Sequence, residues 1–159
     1  MNNRENTYKS LRTFIEANKV ISFNSVKTKK EIFSQIENLL LSNTSFNKNE
    51  LAKYLLKLEN KNPTDIGNGI AIPNMQDLNI KKVCGCFIRL KNSIMYDSYK
   101  NEPVDLFLVL LSPLAFSKNH LKLLAQISRL LKNLEIQNKL RGAINDEALF
   151  EILTQPEFK

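Results

Sequence analysis

The residue types able to do chemistry fall in a few places. In Asp65-Ile-Gly67-Asn68-Gly69-Ile-Ala-Ile-Pro73-Asn74, two glycines within three residues permit positive φ or close backbone approach. They stand directly before a short apolar run that Pro73 ends, which presents Asn74 at a strand edge. The stretch lacks the Lys and Ser/Thr of a phosphate-binding loop and the spacing of a dinucleotide fingerprint, so by itself it reads as a tight turn. Histidine occurs once, at His120, which excludes chemistry that needs two imidazoles. Cys84 and Cys86 are one residue apart, too close for a relaxed disulfide and too few for a zinc site. Their spacing puts both thiols on one face of a strand, where core packing is the expectation. Asp105 lies in a strongly apolar run and needs a hydrogen-bond partner there. It reads as structural, ordering the chain near residue 74. Lys118, Lys122 and Arg129 form a basic stripe that suits either a solvated face or an acidic partner.

The elements that must hold these residues follow from periodicity. Thr28 and Glu31 make a capping box, and Ile32, Phe33, Ile36, Leu39 and Leu40 recur at helical spacing up to about Leu41. A Ser/Asn-rich loop from Ser42 to Asn49 leads to a second helix, capped by Asn47 and Glu50, with Leu51, Tyr54, Leu55 and Leu58 as its inner face. Pro63, Gly67 and Gly69 stop it. Tyr8 to Ala17 suggests a short helix and Val20 to Phe23 a short strand. Ile70 to Ile72, Val83 to Leu90 and Val104 to Leu111 read as strands, the last buried on both faces. Ser117 caps a long helix carrying Leu121, Leu124, Ile127 and Leu131 inward. Gly142 closes a shorter helix, and Asn145 or Asp146 opens a final one with Leu149, Phe150 and Leu153. The expectation is an α/β single domain over residues 1–159, with a mixed β-sheet sandwiched between α-helices.

The chain has 159 residues, 43% of them hydrophobic and 25% charged, enough for one compact core. Its net charge of +7 invites a polyanion partner. Yet 18 of the 23 basic residues are lysines, accompanied by 20 asparagines, a pairing that A-rich codons produce without selection for charge. Nucleic-acid binding is therefore not expected. Leu106 to Leu111, the longest unbroken apolar stretch, is far short of a membrane span, and the opening residues lack the apolar core of a signal peptide. A cytoplasmic protein in a reducing compartment is the expectation.

Thr64-Asp-Ile-Gly-Asn-Gly-Ile-Ala-Ile-Pro73-Asn74 resembles the T-G-I-G-N-G-I-A-I-P-H signature of the type-2 IIA proteins of the bacterial phosphoenolpyruvate-dependent phosphotransferase system. Glu102-Pro-Val-Asp-Leu106, the Leu-Ser-Pro113 close of the apolar run, His120-Leu-x-x-Leu124 and Asp146-Glu-x-Leu-Phe resemble counterparts in its nitrogen-regulatory branch. The likeness covers about residues 10–155 and is most specific over 64–73. It implies a mixed sheet between helices, no metal and no cofactor. It also implies a site at residue 74 and His120, the family's acceptor and second active-site histidine, with Gly67, Asn68, Gly69 and Pro73 as binding backbone. In that family the histidine after the proline takes a phosphoryl group from a histidine phosphocarrier protein; here the position is Asn74, whose carboxamide nitrogen is not nucleophilic. The family's supporting arginine before a glutamate is here Leu58, before Glu59. The resemblance thus implies a regulatory protein that binds a transporter, kinase or enzyme without accepting phosphoryl at residue 74, so whether the chain is an enzyme stays open. The alternative is an active phosphocarrier, with Asn74 an engineered replacement or His120 as substitute acceptor. For His120 a purely structural role, a retained ligand or partner contact, and a substitute acceptor role all remain open.

Overall fold

The computed structural model describes residues 8–96 and 98–158. A six-stranded mixed sheet runs through the molecule, built from β1 (Val20–Phe23), β2 (Asp65–Gly67), β3 (Ile70–Ala71), β4 (Asn74–Gln76), β5 (Cys84–Met95) and β6 (Pro103–Ser112). Its spatial order is β1-β5-β6-β3-β2, with β4 also paired to β6. Helices α1 (Lys29–Leu40) and α2 (Glu50–Lys61) supply the apolar layer on one face; α3 (Ser117–Leu131), α4 (Leu134–Gly142) and α5 (Asp146–Thr154) supply the other. The α/β sandwich expected from the sequence is the one observed.

β6 shows why the core divides in two. Every side chain from Leu106 to Ser112 is buried, as a central strand with both faces covered requires. Phe107, Val109 and Leu111 enter the α1/α2 layer, while Leu106, Leu108 and Leu110 enter the α3–α5 layer. Strands β3 and β4 are one line of chain lying parallel to β6, because the pairing of Ile70 with Leu106 continues unshifted to that of Asn74 with Leu110. Pro73 interrupts it, having no N–H to give, although its carbonyl still accepts from Leu110 N at 3.0 Å. Alternation along this line sends Met75 into the α1/α2 layer and Asn74 toward α3.

The caps are partly as expected. Thr28 Oγ1 accepts from Glu31 N at 3.1 Å, and Glu31 reaches back to Lys27 N rather than to the cap's own N–H. Asn145 caps α5 through Ala148 N. For α2 the expected caps give way to a long-range one: buried Glu37 of α1 accepts from Asn49 N at 3.0 Å and Ala52 N at 3.1 Å. Asn47 instead bonds the Glu50 side chain. The Ser117 hydroxyl turns back to Leu114 O and caps nothing, since Ser117 is already inside α3. Other expectations need correction as well. Tyr8 to Ala17 holds only a 3-10 turn at Leu11–Thr13, followed by another at Ala17–Lys19. On α2, Tyr54 and Leu58 face solvent, and the buried positions are Leu51, Leu55 and Glu59. On α3, Leu121 is 69% exposed, while Leu124 packs half-buried against the core and Ile127 and Leu131 are buried as expected, in a stripe with His120, Leu123 and Leu130.

Candidate functional site

His120 enters the first turn of α3 directly after the sheet's central strand ends, and it is 4% exposed. Its Nε2 lies 3.0 Å from Asn74 Oδ1, and its Nδ1 meets the hydroxyl of Ser112, the last residue of β6. Asn74 is fixed by a second bond, Nδ2 donating to Ile72 O at 2.9 Å. These contacts set the tautomer. The amide oxygen of Asn74 only accepts, so Nε2 carries the proton; Nδ1 then accepts from the Ser112 hydroxyl. Burial holds the His120 pKa below its ordinary value of 6.5, so the ring is neutral at pH 7.

Ser112, His120 and Asn74 thus form a linear hydroxyl, imidazole, carboxamide chain of the kind that activates a nucleophile. Ser112 is completely buried, however, and no substrate carbon can reach its oxygen. The hydroxyl orients the ring. Both ring nitrogens are occupied, one by a buried hydroxyl and one by the carboxamide.

The support for Asn74 comes from α2. Glu59, only 2% exposed, accepts from Thr64 N at 2.7 Å and from Thr64 Oγ1 at 2.7 Å. The Thr64 carbonyl in turn accepts from Ile72 N, and the Ile72 carbonyl holds the Asn74 amide. Tyr96 is buried close by, and its hydroxyl is pushed to a high pKa by burial and by the neighbouring Glu59.

The glycine stretch does something else. Gly67 pairs with Ile70 across Asn68 and Gly69, which have φ of 55° and 79°, the two-residue turn that joins twisted strands most easily. Asp105 and Arg141 fill the space beside it. Arg141 makes two 2.9 Å bonds to the Asp105 carboxylate and also donates to Asn68 O at 2.5 Å. A Cβ on residue 69 would lie 2.7 Å from Asp105 Oδ1 and 2.8 Å from Arg141 Nη2. Asp105 therefore has its partner, yet it orders the turn at 67–69 and not the chain at residue 74. Gly69 and Asn74 are five residue steps apart along the strand line, roughly 16 Å. Of the residues singled out from the sequence, Pro73, Asn74 and His120 come together, while Gly67, Asn68 and Gly69 stand at the far end of the strand line.

Ser112, Thr64 and Arg141 were not recognised as contributors. A polar residue closing an otherwise apolar buried strand must find a partner, and that signal pointed to Ser112. Cys84 and Cys86 are buried in the α1/α2 layer, and burial pushes the Cys84 thiol up to about 11. Among the described residues no group of three or more His, Cys, Asp or Glu could hold a metal ion, and no helix is long and apolar enough to cross a membrane.

Residues 13–155 match the family model described as phosphoenolpyruvate-dependent sugar phosphotransferase system, EIIA 2. The nitrogen regulatory protein of Bradyrhizobium diazoefficiens is 34% identical over 131 residues, covering 82% of this chain and 86% of that one. The nitrogen regulatory protein of Escherichia coli K12 is 34% identical over 133 residues, covering 82% and 81%. Among solved structures, nitrogen regulatory protein IIA-Ntr from Neisseria meningitidis superposes with a TM-score of 0.82 at 26% identity, over 89% of this chain and 97% of that one. The mannitol IIA protein of Escherichia coli, at 16% identity and a TM-score of 0.71, shares the fold. The chain belongs to the type-2 EIIA family of the phosphoenolpyruvate-dependent phosphotransferase system, in its nitrogen-regulatory branch.

Proposed function

We propose that the protein is a regulatory IIA protein whose output is binding to another protein, held in the state that an unphosphorylated family member occupies. The observation that carries this reading is the Asn74 side chain. The motif it shares with the family assigns it the acceptor histidine's place, and both ends of its carboxamide are committed to hydrogen bonds, with Ile72 O and His120 Nε2. A carboxamide nitrogen has its lone pair delocalised into the carbonyl and cannot attack phosphorus.

His120 is a poor replacement acceptor for a geometric reason. In-line attack needs a ring nitrogen with a free lone pair facing the donor. Here Nδ1 faces a fully buried serine and Nε2 carries the proton given to Asn74. Leu58, where the family places a supporting arginine, removes the positive charge that would stabilise a transferred phosphoryl group. Binding of a transporter, kinase or enzyme would then be constitutive.

The test pairs the protein with Asn74→His, each incubated with phosphoenolpyruvate, enzyme I and the carrier protein. The variant is expected to become labelled and the parent to stay unlabelled. Labelling of the parent would overturn the proposal.

A further inference from the structure

We infer that the surface around Asn74 and His120 docks an acidic protein face with apolar side chains at its centre. This rests on the reading above, that the output is protein binding, and adds the chemistry of the partner.

Strand β4 pairs with β6 on one side, and β2 covers only β3, so Asn74–Gln76 form an open sheet edge among the described residues. α2 packs against this edge from one layer of the sheet. Gln76 reaches Pro113 O at 3.4 Å, which joins the edge to the turn that leads into α3. Nine large hydrophobic side chains are exposed among the described residues, and five lie on these segments: Tyr54, Leu58, Leu78, Leu114 and Leu121. Leu58 adjoins the Glu59 that fixes Thr64, and Leu121 adjoins His120. These segments meet at the open edge of the sheet, α2 from one face and α3 from the other, and exposed apolar side chains on them mark a surface that meets a partner.

The charge is equally one-sided. Lys57 and Lys61 share the outer face of α2 with Tyr54 and Leu58, and Lys118 and Lys122 flank Leu121; all four lysines are exposed. Within α2, residues 74–82 and residues 113–122, the acidic side chains are Glu50, Glu59 and Asp77, and none of them is exposed. Glu59 is buried on Thr64, and Asp77 bonds Asn79. Exposed apolar side chains interspersed with one sign of charge are the pattern of a protein interface that meets the opposite sign. A nucleic acid fits less well, because the exposed apolar side chains among these cations are, apart from Tyr54, leucines, which offer a base no ring to stack on.

The probe is a synthetic amphipathic helix of about 16 residues with a leucine stripe flanked by glutamates. It is titrated into the isotope-labelled full chain and followed by amide shifts, beside a glutamate peptide lacking the leucines and a short DNA duplex. The expected result is saturable binding of the leucine-glutamate peptide, with shifts confined to α2, β4 and residues 113–122. Binding should weaken about tenfold in Lys57→Glu/Lys61→Glu and in Leu58→Ser. These positions are exposed, and an unchanged spectrum of the free variants confirms that they fold. Shifts elsewhere, unaltered binding by the variants, tighter binding of the DNA, or equal binding of the leucine-free peptide would each overturn the docking surface. If the parent protein accepts phosphoryl while the peptide still binds as described, the locked-state reading fails and the docking surface stands. If it accepts none and the peptide does not bind, only the docking surface fails.

Discussion

Asn74→Asp is the most informative single change at the site. Aspartate keeps the size of asparagine and places a carboxylate oxygen at the position of Oδ1, 3.0 Å from His120 Nε2. In the parent protein burial holds the imidazole pKa below 6.5. A carboxylate at that distance favours the protonated ring by about 1.4 to 4 kcal/mol, the range for opposite charges within a few ångströms. Residue 74 is half-buried, so solvent screening places the gain in the lower part of that range. The imidazole of the variant should therefore titrate above that of the parent, by about one pH unit or more. The pH dependence of stability moves with it. With the folded-state pKa depressed, the unfolded chain binds more protons. The parent then keeps its His120 contribution above pH 6.5 and loses it as the pH falls through the folded-state pKa, by at most about 1.4 kcal/mol per pH unit. With the pKa moved up, the variant should keep its stability to a lower pH than the parent, because the protonated ring is then better tolerated in the folded state. The assay is the carbon-bound ring proton of histidine followed by NMR from pH 4 to 9, and the signal is unambiguous because His120 is the only histidine. Urea unfolding at both ends of the range gives the matching stability. An imidazole that titrates at the same pH in both proteins would refute the hydrogen bond from Nε2 to residue 74 and the tautomer built on it.

Glu59→Ala should cost about 2 to 4 kcal/mol in urea unfolding, since it strands the amide and hydroxyl of Thr64, whereas Glu59→Gln should cost about half as much because it can still accept and donate there. Gly69→Ala should destabilise by about 1 to 3 kcal/mol and shift the Asp105 and Arg141 resonances, because the new Cβ meets that ion pair and the backbone is left-handed. In the folded protein Cys84 and Cys86 should resist a thiol reagent at pH 8 and both react in urea, because burial keeps their thiols protonated.

The division between what was legible in the sequence and what was not has a physical basis. Strands with one dominant environment announced themselves: the apolar run of β6 had to be central, and Pro73 had to end β3. The helices α1 and α5 were legible because their caps are local. Tyr54, Leu58 and Leu121 were assigned inward because periodicity assumes that large apolar residues seek the core, whereas each helix buries only the stripe that faces the sheet. Long-range polar contacts were hidden for a different reason. Glu37 capping α2, Glu59 gripping Thr64, and Arg141 clasping Asn68 join residues whose separation carries no pattern. The glycine turn shows the limit of local reading in the other direction. Its conformation was legible, but its place was not, since only the register of β3 and β4 on β6 reveals that it stands well away from Asn74. Pro73 and Asn74 were found by motif and His120 by its rarity, while Ser112, marked in the sequence only as the polar end of an apolar strand, gains its role from its bond to the ring.

The central claim is that this IIA protein carries no phosphoryl group because residue 74 is an amide and His120 has no nitrogen free. Intact-mass measurement of the unaltered chain, after incubation with phosphoenolpyruvate, enzyme I and the carrier protein, tests it most directly. The account predicts an unchanged mass; a gain of about 80 Da, one phosphoryl group, would contradict it.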